Sequence, residues 1–353
     1  MLKIGIIGAG AISVNHLKAY SNNDKCQVVA IADTNIPLAK ERANEYNIQN
    51  CYSDYNELLL DKEIDAVSIA TPTFTHTNII IDALKSGKNV LCEKPPAITA
   101  DEVRKCAETA KETGKLLMYG FVCRFRDHVQ YLKRYIDNGK MGSFVCAEAT
   151  RIARCTEYTG WLSDKERSGG FLLDGGIHEL DLVLYLMGYP KPKTVLGFTS
   201  NLNNDLPSRI KSQIGRYKSM DTNTYKRTIE SFAGASIILD NGAYINVKAG
   251  SSILSVNESV SVDICAEKAG IRMEPFTKGQ ELRILEINED GYFNENIPFI
   301  NSNNPFEAEI NHFVDCCVNK IECICKPDEA ITLLEIINAV YQSAETGSAV
   351  EFN

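Results

Sequence analysis

Residues Lys3–Ser13 read KIGIIGAGAIS, an apolar run that ends in a glycine turn and leads into a helical pattern. Gly8 allows a tight turn, and Gly10 lets a pyrophosphate approach the backbone at a helix N-terminus. Ser13 occupies the third position of the G-x-G-x-x-G pattern, where a small side chain preserves close packing of helix and strand. The stretch predicts a dinucleotide-binding turn, with cofactor contacts from Gly8, Gly10, Ala11 and Ile12.

Around this turn, apolar runs alternate with helical patterns over the first 121 residues. Strands with little polar alternation, separated by helices, are typical of a parallel sheet covered on both faces. We therefore predict an α/β, Rossmann-type domain at residues 1–121. Strands are predicted at Lys3–Gly8, Gln27–Asp33, Asp65–Thr71, Asn89–Glu93 and Lys115–Phe121, and helices at Ala11–Asn22, Pro37–Tyr46, Thr77–Ser86 and Ala100–Thr113.

Asp33 ends the second predicted strand, the position from which an acidic side chain binds the ribose of a dinucleotide. Its carboxylate can accept hydrogen bonds from the 2′-hydroxyl and would repel a 2′-phosphate, so the sequence favours NAD over NADP. An alternative role is to cap the following helix, and the neighbouring Thr34 and Asn35 could tolerate a phosphate. The cofactor role carries more weight because the turn, the strand and the acid occur together.

The segment after the third strand follows the edge of the sheet where ligands bind, beyond the carboxyl ends of the strands. We predict that Thr71, Pro72 and Thr73 line the cofactor. His76 opens the next helix. We expect His76 to have a capping or packing role and not a catalytic one. We also include it among the predicted cofactor-binding residues.

Residues Val90–Thr99 read VLCEKPPAIT, an apolar strand that ends in two charges. Glu93 and Lys94 should point to the same crevice as the glycine turn, because parallel strands place their carboxyl ends at one edge. Pro95 and Pro96 restrict the backbone there, which suits a side chain held in place. A purely structural lysine would more often be solvated on a helix. Glu93 and Lys94 therefore join the predicted cofactor contacts.

After Phe121 the pattern changes to an amphipathic helix followed by alternating strands. Asp240, Asn241 and Gly242 give a strong hairpin signal between two of these strands. We predict an α+β domain at residues 122–353 with a mostly antiparallel open sheet, and an active site between the two domains. Helices at Asn311–Val318 and Glu329–Thr346 complete it.

The segment Ser168–Gly188, SGGFLLDGGIHELDLVLYLMG, breaks the strand pattern and reads as a helix from Gly175 onward. Asp174, His178 and Asp181 have the spacing i, i+4 and i+7, so they share one face if the helix begins by Asp174. Singly, they could be an N-cap, a packed histidine and a surface acid. Three ionisable groups in register indicate a site that handles protons.

The motifs together resemble the glucose–fructose oxidoreductase, inositol dehydrogenase and rhizopine-catabolism (Gfo/Idh/MocA) family. The matching pieces, in chain order, are GAGAIS, ATPTFTH, CEKPPAIT, GFVCRF, GGFLLDGGIHELDL and IINAVYQSAETGSAVEF. The resemblance implies catalytic roles for Lys94, Asp174 and His178. The chain departs from the family at Val122, where many members have Asn near the nicotinamide, and at Ser168, where Gly is frequent.

The expected activity is an NAD-dependent dehydrogenase that acts on a CH–OH group of a sugar, polyol or cyclitol. His178 would remove the hydroxyl proton, since a neutral imidazole is a good general base near neutral pH. Lys94 would orient the oxygen and stabilise its developing negative charge. Asp174 would bind the substrate or His178, and Asp181 could support the imidazole. The predicted substrate contacts are Lys94, Arg124, Trp161, Asp174 and His178.

Two other functions remain open at this stage. Some similar proteins cleave glycosidic bonds through a transient oxidation with tightly held NAD, and consumption or recycling of NAD would distinguish them. Relatives of this fold also serve as NAD-binding regulators without turnover. Such regulators need not retain Lys94, Asp174 and His178 together, so these residues count against that role.

Composition limits the remaining possibilities. The net charge of −9 argues against nucleic acid, and no apolar run is long enough to span a membrane. The twelve cysteines are scattered and several lie in apolar runs, which favours free thiols in a reducing cytoplasm and no metal. The open sheet and the resemblance predict a homo-dimer or homo-tetramer. The basic residues of segment 209–227 could favour an acidic sugar, but a solvated loop is the preferred interpretation.

Overall fold

The computed structural model describes residues 1–154, 158–202, 204, 227–275 and 282–352. The chain forms two compact units, of which the first comprises residues 1–126 and 303–331. The second comprises residues 127–302 and 332–353. Most of the basic segment noted above, residues 209–226, lies outside the described residues. Among those described, no helix combines the length and the apolar character needed to cross a membrane.

The first unit contains a parallel sheet of six described strands in the order β3-β2-β1-β4-β5-β6. The strands are β1 (Leu2–Ile7), β2 (Cys26–Ala32), β3 (Asn50–Tyr52), β4 (Ala66–Ile69), β5 (Asn89–Glu93) and β6 (Leu117–Gly120). This order confirms the Rossmann-type prediction. The chain reverses direction across the sheet between β1 and β4, and the carboxyl ends on either side of that switch are where such folds bind dinucleotides.

In the first 121 residues the four predicted helices are present, and a short helix at Tyr55–Leu60 was not predicted. The helices among the described residues are α1 (Ser13–Ser21), α2 (Ile36–Glu45), α3 (Tyr55–Leu60), α4 (His76–Lys85), α5 (Ala100–Thr113), α6 (Asp127–Asp137), α7 (Lys165–Ser168), α8 (Ile177–Met187), α9 (Pro305–Asn319) and α10 (Pro327–Thr346). Helix α5 shows why its ends were predictable. Thr99 and Glu102 form a capping box at its start, and Gly114 takes the left-handed conformation at its end.

Helix α9 belongs to the first unit, although the sequence-based boundary assigned all of residues 122–353 to the second domain. It packs on α1, where the Phe306 ring lies 6.2 Å from that of His16. Lys25, just beyond α1, forms an ion pair of 2.7 Å with Asp315. The amphipathic pattern of α9 predicts a buried face but cannot specify which helix that face meets, so the difference arises from tertiary packing.

The second unit contains a sheet of nine described strands in the order β14-β13-β12-β11-β7-β10-β9-β8-β15. The strands are β7 (Phe144–Ile152), β8 (Pro192–Ser200), β9 (Phe232–Leu239), β10 (Tyr244–Gly250), β11 (Ser259–Ala266), β12 (Ala269–Met273), β13 (Leu282–Ile287), β14 (Phe293–Asn296) and β15 (Val350–Glu351). Only the β7–β10 pair among them is parallel, so the mostly antiparallel α+β prediction is confirmed. The predicted hairpin joins β9 and β10, with Gly242 at a positive φ of 85°.

Alternation along these strands separates a buried face from an outer face. Ile245, Val247 and Ala249 of β10 are buried. Their neighbours in the chain face the other way, and the paired positions on β8 and β9 carry exposed apolar side chains. The outer face of the sheet is therefore partly apolar and exposed in a single chain.

Candidate active site

The glycine turn between β1 and α1 has the shape needed for a dinucleotide. Gly8 has a φ of +101°, and a Cβ at this position would lie 2.5 Å from the carbonyl oxygen of Ala70. Nothing lies within 4 Å of a Cβ placed on Gly10. Helix α1 begins without a side-chain cap at Ile12, so its first amides remain available to an anion. The open space over Gly10 and the uncapped helix end fit a pyrophosphate.

Asp33 secures this turn from the end of β2. Its carboxylate accepts hydrogen bonds of 2.7 Å from the amides of both Ala9 and Asn35. Helix α2 is capped instead by Asn35, which accepts from the amide of Leu38, so the alternative role of Asp33 as the cap is wrong. A carboxylate has about four lone-pair sites, so two backbone bonds still leave acceptor capacity for a ribose hydroxyl.

His76 connects two loops at the carboxyl edge of the first sheet. Its ring nitrogens lie 2.8 Å from the carbonyl oxygens of Thr71 and Pro95. The side chain is buried, which lowers its pKa, while the two carbonyls oppose that shift. Because His76 exposes almost no surface, its contacts indicate that it positions the loops. A direct cofactor contact stays a prediction for His76, as for Pro72 and the buried Thr73.

Lys94 is half-buried directly after β5, and the Lys94–Pro95 peptide bond is cis. Its amide donates to the carboxylate of Glu93 at 3.1 Å. The other oxygen of Glu93 lies 2.7 Å from Nε2 of His16, whose Nδ1 lies 2.7 Å from the hydroxyl of Ser68. Glu93, His16 and Ser68 are all buried. This network fixes the end of β5, from which Lys94 extends.

His16 was not singled out from the sequence. The available signal is a histidine within the apolar face of a helix that follows a glycine turn, but its partners on β4 and β5 depend on the fold. Glu93 is 5% exposed, so its bonds to His16 and Lys94 favour a positioning role. Its predicted cofactor contact stays a prediction.

Arg124 is fully buried in the first unit. Its guanidinium donates to the carbonyl oxygen of Ile324 at 2.7 Å and forms an ion pair with Glu329. It also lies over the Phe121 ring, 4.7 Å from the centroid. These contacts favour a structural role, because no surface of the side chain is open to a ligand. Its substrate contact stays a prediction that the burial disfavours.

In the second unit, one helix carries the two other predicted catalytic side chains. The helical backbone begins at Phe171, widens into a π-helical turn at Leu172–Gly176 and continues as α8. Between Phe171 and Met187, every residue is buried except Asp174 and His178, which are half-buried. π-Helical turns are frequent at functional sites. Two ionisable groups are thus the side chains that this otherwise buried helix presents at a surface.

Asp181 does not share that surface, so the expectation of three groups on one face is wrong. It is 1% exposed and accepts a hydrogen bond from the hydroxyl of Tyr189. Glu179 is also buried and accepts two bonds, of 2.7 and 2.8 Å, from Arg151. The i, i+4, i+7 spacing places residues on one face only in a regular α-helix. The π-helical turn at Leu172–Gly176 changes the angle between Asp174 and the α-helical residues that follow it.

The glycines that precede this helix are closely packed. A Cβ on Gly170, where φ is +101°, would lie 2.3 Å from the hydroxyl of Tyr341. Buried Glu230 accepts from that hydroxyl at 2.7 Å and from the amide of Leu172 at 2.8 Å. Glu230 therefore holds the first helical turn, a role that no local pattern indicated.

Tyr158 is a further residue at this site that sequence reasoning missed. Its hydroxyl donates to Oδ2 of Asp174 at 2.6 Å, and its ring packs edge-on against Phe171 at 5.5 Å. Trp161 lies nearby in the chain, half-buried in the short helical turn Gly160–Ser163. The sequence does show aromatic residues close together in this segment, but their presence alone does not predict a hydrogen bond to Asp174.

The comparisons with known proteins cover both units. Residues 2–121 match the model of the oxidoreductase family with an NAD-binding Rossmann fold, and residues 133–352 match that family's C-terminal alpha/beta domain. The chain belongs to the Gfo/Idh/MocA oxidoreductase family. This assignment confirms the resemblance drawn from the motifs, and the chain is an oxidoreductase.

Two curated members of the family align over almost the whole chain. D-glucoside 3-dehydrogenase of Escherichia coli (strain K12) is 30% identical over 99% of this chain and 97% of its own length. The scyllo-inositol 2-dehydrogenase (NAD(+)) of Bacillus subtilis (strain 168) is 27% identical over 100% and 96%. Aldose-aldose oxidoreductase from Caulobacter crescentus has the same fold, with a TM-score of 0.83, 21% identity and 99% coverage of both chains.

Lys94 lies in the first unit, whereas Asp174 and His178 lie in the second. The structure brings Asp174 and His178 to one helix and adds Tyr158 beside Asp174. That Lys94 acts on the same substrate as these residues stays a prediction.

Proposed function

We propose that the protein transfers a hydride between a CH–OH carbon of a sugar, polyol or cyclitol and the nicotinamide of NAD. The observation that carries this proposal is the pair Asp174 and His178, the two partly exposed side chains of a helix that is otherwise buried. Lys94 directly follows β5, whose end is held by hydrogen bonds of Glu93, at the carboxyl edge of the first sheet where dinucleotides bind. Family membership supports redox chemistry, and the full-length relatives support a polyhydroxylated substrate.

NAD, when bound, accepts the hydride from the substrate carbon. In the direction of oxidation, neutral His178 accepts the hydroxyl proton as the C–H bond breaks, so the alcohol becomes a carbonyl. The Lys94 ammonium donates a hydrogen bond to the same oxygen and stabilises its developing negative charge. In reduction the same two groups act in reverse, and His178 returns the proton.

Asp174 has a supporting role in this proposal. The hydroxyl of Tyr158 occupies one of its carboxylate oxygens, which orients the group and leaves acceptor capacity for a substrate hydroxyl. A sugar or cyclitol offers neighbouring hydroxyls, so a fixed carboxylate can select the one that lies beside His178. Orientation of this kind is how a protein lowers the entropic part of a barrier.

A substrate panel followed by NADH absorbance tests the proposed function. It should include D-glucosides, free aldoses, myo-inositol, scyllo-inositol and linear polyols. D-glucosides and inositols are expected to reduce NAD, because full-length relatives carry those names. Reduction of NAD by none of these compounds, together with cleavage of a glucoside without net NADH, would favour the glycosidase alternative.

We propose NAD as the preferred cofactor because Asp33 lies beside the glycine turn. Asp33→Ala should weaken NAD binding by about 10–100-fold, since a hydrogen bond to a charged group contributes about 1.5–3 kcal/mol. NADP binding should weaken less or improve, because the repelling charge is gone. Melting temperature must be measured alongside, as Asp33 also binds the amide of Ala9. Tighter NADP than NAD binding by the unmodified protein would contradict this preference.

We propose that the outer face of the second sheet is covered by a second copy of the chain, giving a homo-dimer or a homo-tetramer. Leu196, Phe198 and Ile238 are adjacent on β8 and β9 and are 45–60% exposed. Phe198→Asp should shift the assembly towards monomer in light scattering, because a charge would be buried in the interface. Leu60→Asp is the matched control, since Leu60 is 80% exposed on α3. A monomeric unmodified protein at micromolar concentration would refute the proposal.

We also infer a cytoplasmic protein. The cysteines of the described residues are free thiols, several of them buried. That pattern is typical of reducing compartments.

A further inference from the structure

Helix α9 and the loop after it, both in the first unit, bring three metal-binding side chains together. His312 and Cys316 lie one turn apart on α9, and Cys323 returns to them from the loop before α10. One ligand atom from each of the three lies within 4.8 Å of the others. Nε2 of His312 is 3.4 Å from Sγ of Cys316.

We propose that His312, Cys316 and Cys323 bind one Zn²⁺ ion, with a water as the fourth ligand. A tetrahedral zinc has Zn–S bonds of about 2.3 Å and Zn–N bonds of about 2.0–2.1 Å, which places two such ligand atoms about 3.6 Å apart. The His312–Cys316 separation is close to that value. Cys316 is buried while His312 and Cys323 are half-buried, so water can reach the remaining position.

Hydrogen bonds at the cluster show which contacts a bound metal would replace. The amide of Ile324 donates to Nε2 of His312 at 3.1 Å, so this nitrogen carries a lone pair and not a proton. The Cys323 thiol donates to the carbonyl oxygen of Cys325 at 3.5 Å, and both thiols would lose their protons on binding a metal. Zinc would take the place of the Ile324 hydrogen bond and of the two thiol protons.

Cys316, Cys317, Cys323 and Cys325 lie close together in the sequence, but their spacing does not indicate a metal site. The spacing of Cys323 and Cys325 is unlike that of usual zinc sites, and Cys316 and Cys317 are adjacent on a helix. In the structure the ligand set omits Cys317 and Cys325 and includes His312 instead. A contact between α9 and the following loop cannot be read from the spacing of cysteines alone.

The proposed ion would act as a structural clip. It would join α9 to the loop that contains Ile324, whose carbonyl oxygen accepts from buried Arg124. The same loop leads into α10, where Glu329 pairs with Arg124. The proposal therefore concerns stability of the first unit and is independent of the proposed activity.

Cobalt titration of the chelator-treated full-length protein tests the site. Co²⁺ should bind with one equivalent per chain and give the thiolate-to-metal absorption and intense visible bands of tetrahedral coordination, and one equivalent of Zn²⁺ should abolish them. Cys316→Ser and Cys323→Ser should each lose the signal. Cys317→Ser is the matched control, because it removes an adjacent buried thiol of the same helix, and it should keep the signal.

A second measurement on the unmodified protein covers the case in which the variants do not fold. Zn²⁺ should protect Cys316 and Cys323 from alkylation, as read by mass spectrometry, and should leave Cys265 reactive, since that thiol is exposed on the other unit. An absence of tetrahedral Co²⁺ absorption, equal signal in Cys323→Ser and the unmodified protein, or a Cys316–Cys323 disulfide that forms equally with and without Zn²⁺ would overturn the proposal.

Discussion

Replacing Lys94 or His178 by alanine is expected to lower turnover by about 10²–10⁴-fold, the range that a positioned acid–base group contributes. Melting temperature and NAD affinity should stay near those of the unmodified enzyme. Both side chains are half-buried, so neither substitution opens a large cavity in a packed core. Stopped-flow turnover, NAD titration and thermal unfolding on the same preparations give the three readouts.

The pH dependence of turnover tests the role of His178 as the general base. Turnover of the unmodified enzyme in the oxidative direction should rise with pH, because only a neutral imidazole can accept the hydroxyl proton. The residual activity of His178→Ala should lose that rise. Lys111→Ala, an exposed lysine in the last turn of α5, is the matched control and should behave like the unmodified enzyme. Folded Lys94→Ala and His178→Ala variants that bind NAD and turn over normally would remove both residues from the mechanism.

Two neighbouring glycines should respond in opposite ways to the same substitution. Gly8→Ala is expected to destabilise the first unit, because the residue has a φ of +101° and its new Cβ would lie 2.5 Å from a backbone oxygen. Backbone strain of this kind costs about 1–3 kcal/mol, and the clash adds to it. Thermal or urea unfolding of the cofactor-free protein measures the loss.

Gly10→Ala should leave the cofactor-free protein as stable as before, because nothing lies within 4 Å of the added carbon. The same open space is where we place the pyrophosphate, so NAD affinity should fall by at least about 10-fold, equivalent to about 1.4 kcal/mol. NAD titration of this variant is the measurement. Unchanged NAD affinity in Gly10→Ala would show that the cofactor does not use the turn.

The first unit was predictable because its signals are local. Each signal depends on a few neighbouring residues, as at the apolar run before Gly8, at Asp33 and at the helix cap Gly114. Strands that are buried on both faces are continuous apolar runs, so they can be recognised without knowing which strands pair with them. Lys94 could be predicted to lie at the carboxyl edge of the sheet, where ligands bind, because it directly follows the predicted strand Asn89–Glu93.

The rest of the site depends on contacts between distant parts of the chain. Tyr158 reaches Asp174, and Glu230 holds the amide of Leu172, yet neither pair has a sequence spacing that would reveal it. The π-helical turn at Leu172–Gly176 is fixed by the packed glycines before it and by Glu230. It changed the predicted face by separating Asp181 from Asp174 and His178. Helix α9 joined the first unit by the same kind of tertiary contact.

Hydride transfer from a CH–OH carbon to NAD is the central claim, and isotopic labelling tests it most directly. The enzyme would be incubated with NAD and a D-glucoside that carries deuterium at carbon 3, and in parallel with inositol deuterated at its ring carbons. The expected result is reduced cofactor with one deuterium on the nicotinamide, found by mass spectrometry, and a ketone product. Reduced cofactor without deuterium, or no reduced cofactor from any of these substrates, would contradict the account.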